Sequence, residues 1–460
     1  MVDDGLVWLS ATELVRAYAG GQLSPVEVHR AVQHRIAELE PTVNAFWQRD
    51  AVESERAAQQ SEARWRAGEP LGPIDGVPIT LKENVARAGV PMPAGNAGVT
   101  PVVPDRNAPI TDRVLESGAV VLGSTVMPDW GMLSSGVSSL HGITRSPLDP
   151  RLTTGGSSSG AGAAAAGGFG PLHVGTDIGG SIRLPGTWLG LATLKPSDGR
   201  VPIDVPYLGR VAGPMARTVD DLALLMSVIA QPDPRDWASL PPAEIDWDTS
   251  GFEPRSVRVG LLLDAGCGMP VDPEVRAVVE RAAGALGDAG AEVVPLEPWM
   301  TDDLLADLDT FWRVRSYVDL VALPPEQRER VLPFIARWAT AAADTPGTRL
   351  MQCYTATNTI RARTVAATQA YDVVLSPVAP MAAFPAEWPM PWGEGDTAMA
   401  HIGFTVPLNM SGQPAATVDA GRTADGRTVG VQVAGRRFDD RGLYGNHSEI
   451  DPAEVLAWAG

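Results

Sequence analysis

The sequence predicts an α/β fold: one large domain built on a sheet that contains parallel strands and is covered by helices. Three observations carry this. Residues 257–296 read as a crossover unit, with a buried strand over Val257 to Leu263, an amphipathic helix over Asp272 to Ala289 and a returning strand at Glu292 to Val294. Apolar residues make up 44% of the 460 positions and charged residues 20%, enough to build a sizeable core and to exclude disorder as the dominant state. No break along the chain is polar and long enough to be a domain linker.

The N-terminal part reads as helices. Ser10 and Glu13 form a capping box that opens a helix to about Gly20. Ser24 and Glu27 form a second, with Pro25 at the first helical position, opening a helix to about Glu40. A third, polar helix spans roughly Asp50 to Gly68. The run Val77 to Leu81 is a short strand leading into Lys82. Asp112 to Ser117 is helical, and Val120 to Leu122 is a strand that Gly123 ends. Residues 128–160, rich in Gly, Ser, Thr and Pro, read as a long loop. Residues 301–370 are mostly helical, and Val373 to Leu375 is a strand. Residues 377–393 form a Pro- and Trp-rich loop, and Val429 to Ala434 is a late strand.

Charge and composition remove several functions. The net charge of −19 repels phosphate backbones, and no basic patch offsets it, which argues against nucleic-acid binding. Cys267 and Cys353 cannot make a disulfide framework in a chain this long and read as small buried apolar groups. The acidic start, Met1 to Gly5, lacks the pattern of a signal peptide, and the longest uncharged stretch, which runs through Gly155 to Gly170, is too weakly apolar for a membrane span. A cytoplasmic protein is the expectation. Of 36 basic residues only two are lysines, Lys82 and Lys195. A lysine in an arginine background is a candidate for work that requires losing a proton, since a guanidinium stays charged while a desolvated ammonium does not.

Two Gly-rich segments carry chemistry. Gly155-Gly-Ser-Ser-Ser-Gly160-Ala-Gly162 fails as a phosphate loop, because Ala161 stands where that loop needs Lys. Gly156 to Gly160 fits the spacing of a nucleophile elbow centred on Ser158, but a loop precedes it instead of a strand. The later histidines, His173, His401 and His447, sit in no matching context. A flexible linker fits poorly too, since Ala161 to Ala166 continues as a strong helix former and puts the serines at a helix start. Downstream, Gly175-Thr-Asp-Ile-Gly-Gly-Ser181-Ile-Arg183 places two glycines before a serine, so consecutive N–H groups can converge on a developing oxyanion. Ser181 therefore has the local build of a nucleophile, and Lys82 is the candidate base.

These residues resemble the amidase signature hydrolases. The resemblance rests on Gly155 to Gly160, Gly175 to Arg183, Leu194-Lys195-Pro196 and Gly199-Arg200-Val201, with two serine motifs 24 residues apart. Gly76 to Asn84 is similar to the family's lysine strand and Gly213 to Asp220 to its next block. Phe404 to Gly412 and Val429 to Val433 are similar to its C-terminal strands. It implies a mixed, twisted central sheet with helices on both faces, in a single domain over 1–460. Within it fall N-terminal helices (1–70), a catalytic core (71–235), a crossover unit with a helical substrate-side region (255–370), C-terminal strands (371–441) and an atypical tail (442–460). It further implies a Ser181–Ser157–Lys82 triad. Ser181 attacks, Ser157 relays the proton through a residue whose peptide bond is cis, and Lys82 is the base. Oxyanion donors come from the backbone of Ile178, Gly179, Gly180 and Ser181. Lys195, in Leu-Lys-Pro, reads as structural.

The implied activity is hydrolysis of small amides, and of esters or carbamates, without cofactor or metal, by a monomer or homodimer. The rival readings are the amidase-type subunit of a tRNA-dependent amidotransferase and a catalytically silent scaffold. Ser159, Ala161 and Val126 depart from the family pattern outside the triad. Met127, Trp388 and Trp392 are expected to line the substrate pocket, with Trp312 and Trp338 on the helices before it; the competing expectation is that these tryptophans only pack the core.

Overall fold

The computed structural model describes residues 5–249, 254–393 and 399–444. Its strands are β1 (Phe46–Arg49), β2 (Pro78–Lys82), β3 (Val120–Thr125), β4 (Val137–Ser138), β5 (Gly142–Ile143), β6 (Leu172–Asp177) and β7 (Ala192–Lys195). They continue as β8 (Val211–Ala216), β9 (Arg258–Leu261), β10 (Glu292–Pro295), β11 (Val373–Pro377), β12 (Ala415–Arg422) and β13 (Thr428–Gly435). Eleven of them form one sheet in the order β1-β3-β2-β6-β8-β7-β12-β13-β11-β9-β10, while β4 and β5 pair as a small hairpin. The sheet is mixed: β3, β2 and β6 run parallel, as do β10, β9 and β11, and the pairings between those groups are antiparallel. The crossover unit expected over 257–296 is present, as β9 and β10 with a helix between them.

Helices flank this sheet. In the N-terminal half they are α1 (Ala11–Ala19), α2 (Pro25–Val43), α3 (Ala51–Ala67), α4 (Pro109–Glu116), α5 (Ser159–Gly167), α6 (Arg183–Leu189) and α7 (Val219–Ile229). In the C-terminal half they are α8 (Pro273–Asp288), α9 (Asp302–Ala322), α10 (Pro325–Arg328), α11 (Pro333–Thr340), α12 (Gly347–Thr368) and α13 (Val406–Ser411). Both expected capping boxes form, at Ser10/Glu13 and Ser24/Glu27. Each satisfies two backbone donors that the first helical turn would otherwise leave bare, worth about 1 kcal/mol apiece. One apolar core joins α1, α2, α4, α7 and α8 to the strands; a second joins α6, α9, α11, α12 and α13 to the loop after β11.

The structure departs from expectation in three places. The strand at 120 does not end at Gly123; β3 runs on to Thr125, with one extra residue bulged against β2. The segment 404–412, expected as strand, holds helix α13, closed by Gly412 in the left-handed conformation. Every residue of α13 is buried, so its apolar run carries no periodicity by which helix and strand could be told apart. The expected loop 128–160 contains the β4–β5 hairpin and the first residues of α5.

Helix α5 explains the Gly/Ala composition over 160–167. All nine of its residues are buried, and it packs on β6, β2 and α6. At Gly160 a Cβ would collide with the Ala45 carbonyl and lie 2.7 Å from the Val126 nitrogen. Only the smallest side chains let the backbone come this close.

Candidate active site

Lys82 is the last residue of β2, and β2 and β6 run parallel, so Lys82 and Thr176 emerge at the same end of the sheet. The start of α5 closes in from the side. Lys82 Nζ lies 2.9 Å from Ser157 Oγ, 3.1 Å from Ser158 Oγ and 2.9 Å from Thr176 Oγ1. The Gly156–Ser157 peptide is cis. Burial pulls the Lys82 ammonium down from its usual 10.5 to about 7; Asp177 and Glu83 oppose this, and Arg210 adds to it.

A count of hydrogens defines what a neutral Lys82 does. Ser158 Oγ donates to the Thr176 carbonyl (3.1 Å) and accepts from the Thr176 N–H (3.2 Å), so toward Lys82 it can only accept. Thr176 Oγ1 also accepts from Asn84 Nδ2 at 3.1 Å. One amine hydrogen therefore goes to Ser158; when Thr176 Oγ1 takes the second, the lone pair faces the Ser157 hydroxyl. The elbow arrangement is not formed: Ser158 is fully buried at the N-cap position of α5, with its hydroxyl turned to the Thr176 backbone.

Ser181 lies just before α6 and is partly exposed. Its carbonyl accepts from the Ser158 N–H at 3.2 Å, which holds the two serine segments together. Among the described residues no hydrogen bond joins the hydroxyls of Ser181 and Ser157; such bonds are often long before substrate binds. Of the four expected oxyanion donors, one is already engaged: the Gly180 N–H donates to Asp177 Oδ1 at 2.8 Å. The N–H groups of Ile178, Gly179 and Ser181 make no hydrogen bond among the described residues.

Asp177 organises this loop. Its carboxylate also accepts from the Ile182 N–H (3.1 Å), from Arg183 Nε (3.0 Å) and Nη2 (2.9 Å), and from Asn409 Nδ2 (2.9 Å). Burial alone would raise its pKa, but Arg183 and Asn409 outweigh burial and hold the carboxyl well below the usual range. Thr405, just before α13, donates from Oγ1 to the Gly179 carbonyl at 2.6 Å. Gly180 has φ 124°, and a Cβ there would lie 2.9 Å from Thr405 Oγ1, so the loop requires glycine at that point.

Thr176, Asn84, Asp177, Thr405 and Asn409 were given no role by sequence reasoning, although all five stand inside the motif blocks. The departures are accommodated. Ser159 Oγ donates to the Val126 carbonyl at 3.3 Å, and Ala161 packs on Ile182 and Met215. Lys195 donates to the Pro196 carbonyl at 3.0 Å, and its burial also lowers it to about 7. His173 is satisfied by Thr80 (2.8 Å) and Gly170 (3.1 Å), while His447 and most of the tail lie outside the described residues.

The pocket expectations divide. The Met127 methyl and Ser157 Oγ both lie 3.2 Å from the point a Cβ on Gly131 would occupy, so Met127 stands near Ser157. Trp392 packs edge-on against His401, 5.5 Å between ring centres. Trp388 is 40% exposed and lies beside Gly393. Trp312 is the tryptophan that meets the catalytic loop: its Cη2 lies 3.1 Å from the Cβ position of Gly179. Trp338 is buried and donates to Asp309 Oδ1 at 2.9 Å, tying α11 to α9.

The site thus brings together a serine on a loop with unengaged amide groups and, at the end of the neighbouring strands, a buried lysine among hydroxyls. The chain belongs to the amidase signature family: the family model described as Amidase matches residues 27–444. It is 34% identical over 451 residues to an acylamidase of Rhodococcus erythropolis, covering 96% of this chain and 94% of that protein. It is 33% identical over 483 residues to one component of the glutamyl-tRNA(Gln) amidotransferase of Symbiobacterium thermophilum, covering 94% of each. Among solved structures, a bacterial aryl acylamidase of the amidase signature family superposes with a TM-score of 0.88 at 27% identity, covering 98% of this chain and 97% of that one. The protein is a hydrolase of amide carbon–nitrogen bonds other than peptide bonds. Among the described residues no helix is long and apolar enough to cross a membrane.

Proposed function

We propose that the protein hydrolyses small amides through an acyl-enzyme on Ser181, with Ser157 as proton relay and Lys82 as general base. The observation that carries this is the 2.9 Å contact between Lys82 Nζ and Ser157 Oγ, made by an amine whose protonation midpoint is about 7. Ser181 Oγ attacks the carbonyl carbon while its proton passes to Ser157, whose own proton passes to the Lys82 lone pair. The N–H groups of Ile178, Gly179 and Ser181 receive the oxyanion. The proton then returns along the same path to the leaving nitrogen, the C–N bond breaks, and water repeats the sequence on the acyl-enzyme. Esters and carbamates fit the same steps, since only the leaving atom differs. The substrate is a small acyl compound held against Met127 and Trp312.

A fluorophosphonate probe tests the assignment. The intact chain is expected to be labelled at Ser181, the Ser181→Ala chain not at all, and the Ser157→Ala chain slowly. Labelling at Ser158 would sink the scheme. The likeness to an amidotransferase component favours a second reading, in which the chain works only inside a complex that uses glutamine. That reading predicts a purified chain inert on simple anilides.

A further inference from the structure

At the end of the sheet that carries the catalytic loop, two arginines lack acidic partners. Val211, the first residue of β8, pairs with Asp177, the last of β6, so Arg210 leaves the sheet beside the 178–181 loop. Asn409 fixes this relation: its Nδ2 lies 2.9 Å from Asp177 Oδ1 and 3.0 Å from the Gly209 carbonyl. The Arg210 Nη2 donates to the Val205 carbonyl at 2.9 Å, but its buried Nε has no acceptor. Arg315, on α9, lies over the Tyr207 ring at 4.6 Å from the ring centre. Neither arginine has a carboxylate within 4.0 Å among the described residues, although Asp319 stands one turn from Arg315 and Asp236 lies near Arg210.

Tyr207 and Arg210 line a cavity of about 390 Å³, with Ile203, Leu208, Asp236 and Trp237. The two acids on its wall have other neighbours. Asp236 accepts from the backbone N–H groups of Ile203 (2.9 Å) and Ala238 (2.7 Å), and Asp198 lies among Lys195, Arg361 and Arg437. Burial disfavours the charge on Arg210 most, the Arg315 guanidinium adds to this, and Asp236 opposes it. Both arginines are partly exposed, but a buried guanidinium N–H without an acceptor, as at Arg210 Nε, is costly, and a carboxylate satisfies a guanidinium fork better than water does. Other arginines among the described residues also stand without a carboxylate; what sets Arg210 apart is a buried Nε with no acceptor, beside the 178–181 loop and near a second arginine, and this points to a ligand that supplies a carboxylate.

We propose that Arg210 and Arg315 bind a carboxylate of the substrate, so that the preferred substrates are amides that also carry a carboxylate. The proposal rests on the amidase reading above and names the substrate class of that site. Arg315 does not itself line the cavity but lies over the ring of Tyr207, which does, and Trp237, also on the lining, is 75% exposed.

The experiment compares matched substrates: glutaranilic acid with valeranilide for a carboxylate on the acyl side, and 4-acetamidobenzoate with acetanilide for one on the amine side. In at least one pair the acid is expected to have a kcat/KM at least about ten-fold above its neutral partner, through KM, as for a charged hydrogen bond. In Arg210→Gln and in Arg315→Gln that ratio is expected to fall toward one. The ratio is unaffected by a general loss of activity, and Arg315, partly exposed on a long helix, gives a readable variant should Arg210→Gln not fold. No preference in either pair, or a preference that survives both substitutions, overturns the proposal. Hydrolysis of the neutral anilides that depends on Ser181 keeps the amidase reading intact in that event. Should no anilide turn over, calorimetric titration of the Ser181→Ala chain with the same four compounds decides: acid-selective binding abolished by Arg315→Gln supports the proposal, and equal or absent binding overturns it.

Discussion

Thr405 Oγ1 lies 2.6 Å from the carbonyl oxygen of Gly179, closer than its 3.2 Å approach to the Ile402 carbonyl, so its single hydrogen goes to Gly179. On the other side of the same peptide, the Gly180 N–H is held by Asp177 at 2.8 Å. The peptide is clamped at both ends, and its orientation decides where the neighbouring N–H groups of Gly179 and Ser181 point.

Removing one end of the clamp should therefore cost rate more than binding. Thr405→Val keeps the shape and loses the donor. Full loss of an oxyanion donor costs about 10²–10³ in kcat. Displacing donors through a lost support should cost about ten-fold in kcat with little change in KM. Thr405→Ser should restore most of the rate. Steady-state kinetics of the three chains on one anilide check this, and a KM effect larger than the kcat effect would contradict it.

Lys82→Arg should be as inactive as Lys82→Ala, each losing at least about 10³-fold in kcat, as for members of other catalytic triads. A guanidinium keeps its proton and has no lone pair for Ser157. An arginine chain that is folded by thermal melt and retains more than a tenth of the rate would remove Lys82 as base.

The protonation of Lys82 fixes the sign of two pH effects. Its midpoint is about 7 in the folded chain, against 10.5 as the ordinary value. Activity should rise with pH through about 7, as the amine becomes neutral, and then level off. For stability, both states hold the proton below 7, and there the folded state bears the full cost of the buried charge. Between 7 and 10.5 only the unfolded state binds it, so stability rises with pH. Lys195 titrates in the same range, so the test is the difference between the native chain and Lys82→Met. Denaturant unfolding at pH 7 and pH 9.5 should show the native chain gaining on the variant at the higher pH. A constant difference would mean that Lys82 stays charged.

Much of the site was legible because its chemistry is local in the chain. Ser157, Ser181 and their glycines lie within 27 residues, and Lys82 stood out as one of two lysines. The helices α1 and α2 were legible because capping boxes, and in α2 a Pro at the first turn, mark their starts. The strands β6, β7 and β8 were not, since each is buried throughout, leaving no alternation to read, and Gly175 interrupts β6 and Gly213 and Pro214 interrupt β8. Thr405 and Asn409 were hidden for a different reason. They reach Asp177 and Gly179 from more than 220 residues away, through a helix whose apolar run read as strand.

Substrate choice at the acyl pocket should turn on Trp312. This residue projects from α9 onto the oxyanion loop and is nearly fully buried, whereas Trp388 is 40% exposed. An indole against the loop limits and lines the space beside Ser181, so it should favour flat or bulky acyl groups over small ones. Trp312→Ala would leave a cavity costing about 3–5 kcal/mol, which confuses specificity with stability. Trp312→Leu, with Trp388→Ala as the control, separates them. Trp312→Leu should raise KM for benzanilide by several-fold more than for acetanilide, while Trp388→Ala should shift both alike or neither. Equal KM changes for the two anilides in Trp312→Leu, accompanied by a lower melting temperature, would leave Trp312 a packing residue.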